Sequence, residues 1–307
     1  MMASLTTSYY SYFYTTLVAS GFSILFHITG LYAIYLHKKK SNQNLIFSSI
    51  SIFEIITSIY RIAYDLALNR NYHENFKDTL PQPAKYIFFS FYYLTGYAVL
   101  FTMYVLTLDR LLCALNPLKY KIQMTRNRTR TLLFLSCIFA SSLGIGTGFT
   151  PSFSNRMKVS NVAFFFGSMY VIFVVVTYIL IAYKLQSSKS RLKAQRGKIS
   201  TTSRRKTLRG LNFRKEFCVP TILISTHLIF FVVPFFVLKF VQWEGIGEIE
   251  RRSKNSGYHL CYLLLIVGCI ADALSYIILV KHYRQNIIAS CTLLQKRLCV
   301  RGKVEDP

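Results

Sequence analysis

Asp109 and Arg110 stand side by side at the end of an uncharged run, Tyr86 to Leu108, that is long enough to cross a bilayer. Glu54 and Asp272 each lie in the middle of another apolar run. An acid at the centre of a spanning helix costs roughly 2.5–3.5 kcal/mol on insertion scales. Such residues turn inward, find partners, and often serve proton, ion or conformational roles. The Asp109–Arg110 pair offers charge chemistry at an aqueous boundary. Glu54 and Asp272 offer a structural polar plug, or a proton or sodium site coupled to helix movement. Arg61 follows Glu54 by seven residues on the same helix face, with Asp65 four residues beyond, a spacing at which helical side chains meet. It serves either as a salt-bridge partner of Asp65 or as the anchor of a polar ligand near the outer mouth.

Hydrolytic, phosphoryl-transfer and metal chemistry find no support in the sequence. HExxH, GxSxG and P-loop patterns are absent, and the six histidines are scattered. None of the seven cysteines falls clearly in an outside loop, and there is no CxxC, so neither a disulfide framework nor a zinc site is indicated. The chain of 307 residues carries a formal charge of +25. In a soluble protein that excess would point to nucleic acid, but here the charges lie between apolar blocks and no nucleic-acid fold signature occurs. Cytoplasmic loops facing anionic lipid account for it.

The elements that must position these residues are apolar runs of about twenty residues, the length a spanning helix needs. They are 13–36, 45–68, 86–112, 131–149, 159–183, 217–238 and 258–280. The reading is an all-α, integral membrane bundle of seven helices (13–282), a short outside N-terminus (1–12), and a cytoplasmic amphipathic eighth helix and tail (283–307). Residues 1–12 carry no charge, so they lack the basic start of a cleaved signal peptide. Glu54, Arg61 and Asp65 make the second run the most heavily charged.

Lysine and arginine set the orientation. With the N-terminus outside, 27 of the 37 fall in cytoplasmic segments. Twelve of these lie between Lys184 and Lys215, a Ser/Thr/Lys/Arg-rich stretch too polar to pack a core. After Val280, basic and apolar positions alternate at helical spacing, as in a helix lying on the inner leaflet. Cys291 and Cys299 there are candidates for palmitoylation. The single glycosylation sequon, Asn127-Arg128-Thr129, falls on the cytoplasmic side, where it is not modified.

Around Arg110 the chain reads Thr107-Leu108-Asp109-Arg110-Leu111, then Asn116-Pro117-Leu118-Lys119-Tyr120. Asn116-Pro117 stops the helix, because proline lacks the N–H and disfavours helical geometry before it. This resembles the Asp-Arg-Tyr end of the third helix of rhodopsin-like G-protein-coupled receptors and their Pro-Leu-x-Tyr second intracellular loop. Asp109, Arg110, Pro117, Leu118 and Tyr120 match; Leu111 departs. Glu54 stands where the family has its buried aspartate, ten residues after Asn44. Tyr178 fits the tyrosine that leans on the arginine in active receptors, and Pro234 the kink proline of the sixth helix. Asp272-Ala273-Leu274-Ser275-Tyr276 stands in place of Asn/Asp-Pro-x-x-Tyr, without the proline. His27 or Thr29 lies near the family asparagine of the first helix. The tryptophan toggle is replaced by Val232, and the outer cysteine of the third helix by Lys85, so the usual disulfide tether is missing. Tyr92 replaces the carboxylate of amine receptors and Ile266 the lysine that binds retinal, which argues against both ligand classes.

The resemblance, closest to divergent invertebrate orphan receptors and chemoreceptors, implies a receptor for an extracellular ligand held among the helices. Arg61, Tyr92 and Tyr93 are pocket candidates; the ligand itself is unknown. It also implies activation of a heterotrimeric G protein through Asp109, Arg110, Pro117, Tyr120, Tyr178 and Tyr276, with kinases and arrestin as further partners. Glu54 and Asp272 would face each other and hold a proton or sodium; no other cofactor is implied. Arg214 stands where many relatives have the acid that restrains the arginine, so the restraint is either missing or supplied by Glu216, which leads to an expectation of ligand-free signalling. A seven-helix ligand-gated channel with its N-terminus inside, or an intramembrane hydrolase, are the alternatives.

Overall fold

The computed structural model describes residues 2–36, 41–72, 82–148, 153–194, 263–264, 266–275, 277–278, 283–290 and 292. Six helices run through the continuous part: α1 (Met2–Leu36), α2 (Asn42–Tyr72), α3 (Gln82–Leu115), α4 (Pro117–Gln123), α5 (Arg126–Gly148) and α6 (Phe153–Ala194). Residues 266–275 form part of a further helix, called here the Asp272 helix, and residues 283–290 a short one. The sixth run (217–238), with Pro234, Arg214 and Glu216, lies outside the described residues, as do Tyr276, Cys291 and Cys299.

Among the described residues, five helical stretches are long and apolar enough to cross a membrane: Phe13–Leu36, Asn42–Ala63, Ser90–Leu115, Arg126–Gly148 and Phe165–Lys184. The molecule is thus an all-α, multi-span bundle of the membrane type. Most helices extend beyond the runs read from the sequence. Helix α1 begins at Met2, inside the segment read as a short N-terminus, because no proline or glycine interrupts residues 2–20. Beyond Leu115 the chain does break at Asn116, but Pro117 then opens α4, where its fixed φ and missing N–H suit a helix start.

Packing is inverted relative to a water-soluble core. On α1, Thr16, Ser20, Ser23 and His27 are fully buried, while Val18, Phe22, Leu25 and Ile28 point outward. Polar groups that cannot be hydrated in lipid must find partners inside, so the small and hydroxylated stripe turns inward. An apolar cluster fills part of the centre: Ile46, Phe47 and Ile50 of α2, Met103 and Leu106 of α3, and Tyr170 and Val174 of α6.

Helices α3 and α5 approach most closely. The buried stripe of α5 runs through Ser136, Ala140, Gly144, Thr147 and Gly148, small residues at helical spacing that let two backbones meet. A Cβ added at Gly144 would lie 2.6 Å from the Leu94 Cα, and one at Gly148 only 2.4 Å from the Ser90 Cα. Both positions therefore require glycine. This contact fixes α3, and with it Asp109 and Arg110, against the bundle.

Candidate functional site

At one end of the bundle, Asp109 and Arg110 close α3 and are almost wholly buried. Adjacent helical residues do not face each other, and the pair shows it: Arg110 Nη2 and Asp109 Oδ2 are 3.7 Å apart. The stronger bond to the carboxylate comes from α4, where the Tyr120 hydroxyl donates to Asp109 Oδ1 at 2.7 Å. The break at Asn116 and the turn of α4 from Pro117 bring Tyr120 back over the end of α3. Burial, followed by the charge of Asp109, pushes the Tyr120 phenol well above its ordinary range. It stays a hydrogen-bond donor at neutral pH.

Arg110 also lies over the Phe47 ring, with its guanidinium carbon 6.0 Å from the centroid, at the edge of cation–π range. Tyr283, from the short helix 283–290, completes this end. It is buried and donates to Asn44 Oδ1 at 2.6 Å. Ser41 Oγ donates to the same oxygen at 2.7 Å. Asn42 Nδ2 reaches the Met124 carbonyl beyond α4. Burial pushes the Tyr283 phenol up to about 12, against the opposing field of Arg110. Residues of α2, α3, α4 and the short helix 283–290 thus converge on Asp109 and Arg110. Tyr178 sits half-buried beside Ala114 and Ile181.

A second polar cluster lies deeper, between α1, α2 and the Asp272 helix. Glu54 and Arg61 are both buried. Arg61 Nη1 approaches Cys269 Sγ at 3.6 Å, and the same thiol is hydrogen-bonded to the Glu54 carboxyl. His27 Nε2 lies 3.1 Å from the Cys269 carbonyl and Nδ1 lies 3.3 Å from Ser51 Oγ. The charges of Glu54 and Arg61 both act on His27. Ser58 Oγ donates to Ser23 Oγ at 3.1 Å, tying α2 to α1 once more.

Asp272, also buried, sits one turn after Cys269. Its field reaches Tyr170 of α6, whose hydroxyl is 3.3 Å from Thr107 Oγ1. Of the two candidates on α1, His27 joins this cluster, and the Thr29 hydroxyl donates to the Leu25 carbonyl at 2.8 Å.

The three pocket candidates face different neighbours. Arg61 is buried and donates to Cys269 Sγ at 3.6 Å. Tyr93 packs toward Tyr97, Ala98 and Ala140, and meets Tyr92 edge to face at 5.6 Å. Ile266 is fully buried, an apolar side chain with no amine to offer.

Cys269 and Tyr283 were not singled out from sequence. The signal for Cys269 was its place three residues before Asp272, one turn away on a neighbouring face. No comparable signal marked Tyr283 among the basic residues around it. Among the described residues no three His, Cys, Asp or Glu are grouped to hold a metal ion.

No family model matches the chain, and no characterised protein matches it by sequence. Its structure does have counterparts. The crystal structure of squid rhodopsin superimposes with a TM-score of 0.76 at 14% identity, covering 94% of this chain and 86% of that one. The chain therefore carries a rhodopsin-like fold.

Proposed function

We propose that the protein is a seven-helix receptor, N-terminus outside, that binds an extracellular ligand among its helices and activates a heterotrimeric G protein inside. The observation that carries this reading is the buried Asp109–Arg110 pair at the end of α3, capped by the Tyr120 hydroxyl at 2.7 Å. A carboxylate that takes a 2.7 Å bond from the hydroxyl of a short loop helix can be released by a modest movement at that end. Ligand binding favours an arrangement in which Arg110 is freed to meet the C-terminal helix of the G protein. The ligand shifts that equilibrium only by its difference in affinity for the two states.

The basic residues beside this end, Lys119, Arg126, Arg128 and Arg130, suit anionic inner-leaflet lipid and an acidic partner surface. Arg110→Ala is the test. It should reach the cell surface in normal amounts yet fail to activate any G protein, and full signalling at matched expression would remove the assigned role.

A further inference from the structure

The sequence leads to an expectation of sodium or a shared proton at Glu54, and the groups around Glu54 do not fit a metal ion. A cation site needs anionic or neutral oxygen donors converging on an empty centre. Glu54 instead shares its cluster with a guanidinium, a thiol and an imidazole. A sodium ion would enter beside a positive charge that cannot be discharged, since arginine does not deprotonate in proteins.

We propose that Arg61 is the built-in cation of the buried Glu54 site, joined through the Cys269 thiol, so that α2 is locked to the Asp272 helix without a bound ion. Arg61 lies two turns from Glu54 on the same face, about 10.5 Å along the helix axis, too far for backbone proximity alone to pair them. The thiol of another helix bridges that gap. Its sulfur accepts from Arg61 Nη1 at 3.6 Å, and its S–H donates to the Glu54 carboxylate. Glu54 Oε2 is buried and accepts no hydrogen bond from a described residue. His27 fastens the same stretch of the Asp272 helix to α1 and α2 through the Cys269 carbonyl and Ser51. Breaking a buried pair by removing one partner leaves an uncompensated charge, which is the costly outcome.

This inference does not depend on the protein being a G-protein activator, and its test reads stability alone. The full chain, purified in lipid nanodiscs, is melted in sodium chloride and in choline chloride at equal ionic strength. The wild type should melt at the same temperature in both, because a ligand that does not bind cannot raise the midpoint. Arg61→Gln should melt lower by about 5–10 °C and should acquire a saturable rise with sodium, as the exposed carboxylate accepts an external cation. Adding Glu54→Gln should recover most of the lost midpoint and abolish the sodium response. Where Arg61→Gln alone does not fold, the double variant decides: recovery supports the proposal and no recovery contradicts it. A saturable sodium stabilisation of the wild type would overturn the proposal. So would an Arg61→Gln protein that melts like the wild type, or one that gains no sodium response.

Discussion

Among the described residues an acid and an arginine are buried together in two places, and the two are built differently. Asp109 and Arg110 are neighbours in sequence, meet at only 3.7 Å, and depend on Tyr120 of α4 for the strong bond to the carboxylate. Glu54 and Arg61 are seven residues apart, share one face of α2, and are bridged by Cys269 of a distant stretch of chain. The first pair sits where α3 ends and α4 begins, so it can be released by a hinge of a few residues. The second lies between three helices and cannot open without separating them. A pair that a partner must disturb belongs at the end of an element; a pair that must hold belongs between elements.

The largest effect should come from breaking the interior pair. Arg61→Gln is expected to cost about 3–5 kcal/mol, the range for an orphaned buried charge, whereas Arg110→Gln should cost less. Asp109 keeps the Tyr120 hydroxyl and lies near the end of α3, where it can regain water. Chemical or thermal unfolding of both variants in the same lipid orders the two sites, and an Arg110→Gln loss as large as that of Arg61→Gln would erase the distinction.

Next in size is Tyr120→Phe. Removing a 2.7 Å bond to a carboxylate should cost about 1.5–3 kcal/mol. It should also raise ligand-free signalling, because Arg110 loses an anion held in place for it. Signalling at or below the wild-type level, at matched surface number, would show that the Tyr120 bond does not restrain Arg110.

Gly144→Ala separates packing from charge. The added methyl meets the Leu94 backbone at 2.6 Å, and overpacking of this kind costs about 1–3 kcal/mol. It touches neither pair, so stability should fall while the ratio of Arg110-dependent to total signalling stays constant.

The smallest effect is at Tyr283. Tyr283→Phe removes one neutral bond to Asn44, worth about 0.5–1.5 kcal/mol, and it should also change the alkaline behaviour. The folded phenol is raised to about 12, above an unfolded value of about 10. Its contribution is therefore complete below about pH 10 and is lost as pH rises toward 12. Over that window the wild-type midpoint should fall more steeply than that of Tyr283→Phe. Parallel curves would place the titration elsewhere.

Much of the fold was legible because lipid imposes long apolar runs and restricts where charge can stand. The runs around Ser90–Leu115 and Arg126–Gly148 needed only length and composition. Asp109 and Arg110 were legible for the same reason, as charges at the end of an uncharged helix. Tyr120 could be marked only by resemblance, because the turn that returns it to Asp109 depends on α4, a helix too short to show periodicity. Glu54 and Arg61 were visible as oddities, but their use was not. Cys269 is an ordinary apolar-looking residue in the sequence, and only the packing of α1, α2 and the Asp272 helix turns its thiol and carbonyl into a hub. Inward-facing serines and threonines on α1 were likewise hidden, since in a membrane bundle the polar face is the buried one.

The proposed coupling is tested most directly by nucleotide exchange on purified heterotrimers mixed with the protein in nanodiscs, without ligand, for wild type and Arg110→Ala at equal protein number. Exchange should exceed the empty-disc level for the wild type with at least one class of Gα subunit, and return to that level for Arg110→Ala. Wild-type exchange no faster than empty discs with every class, or equal exchange by both proteins, would contradict it.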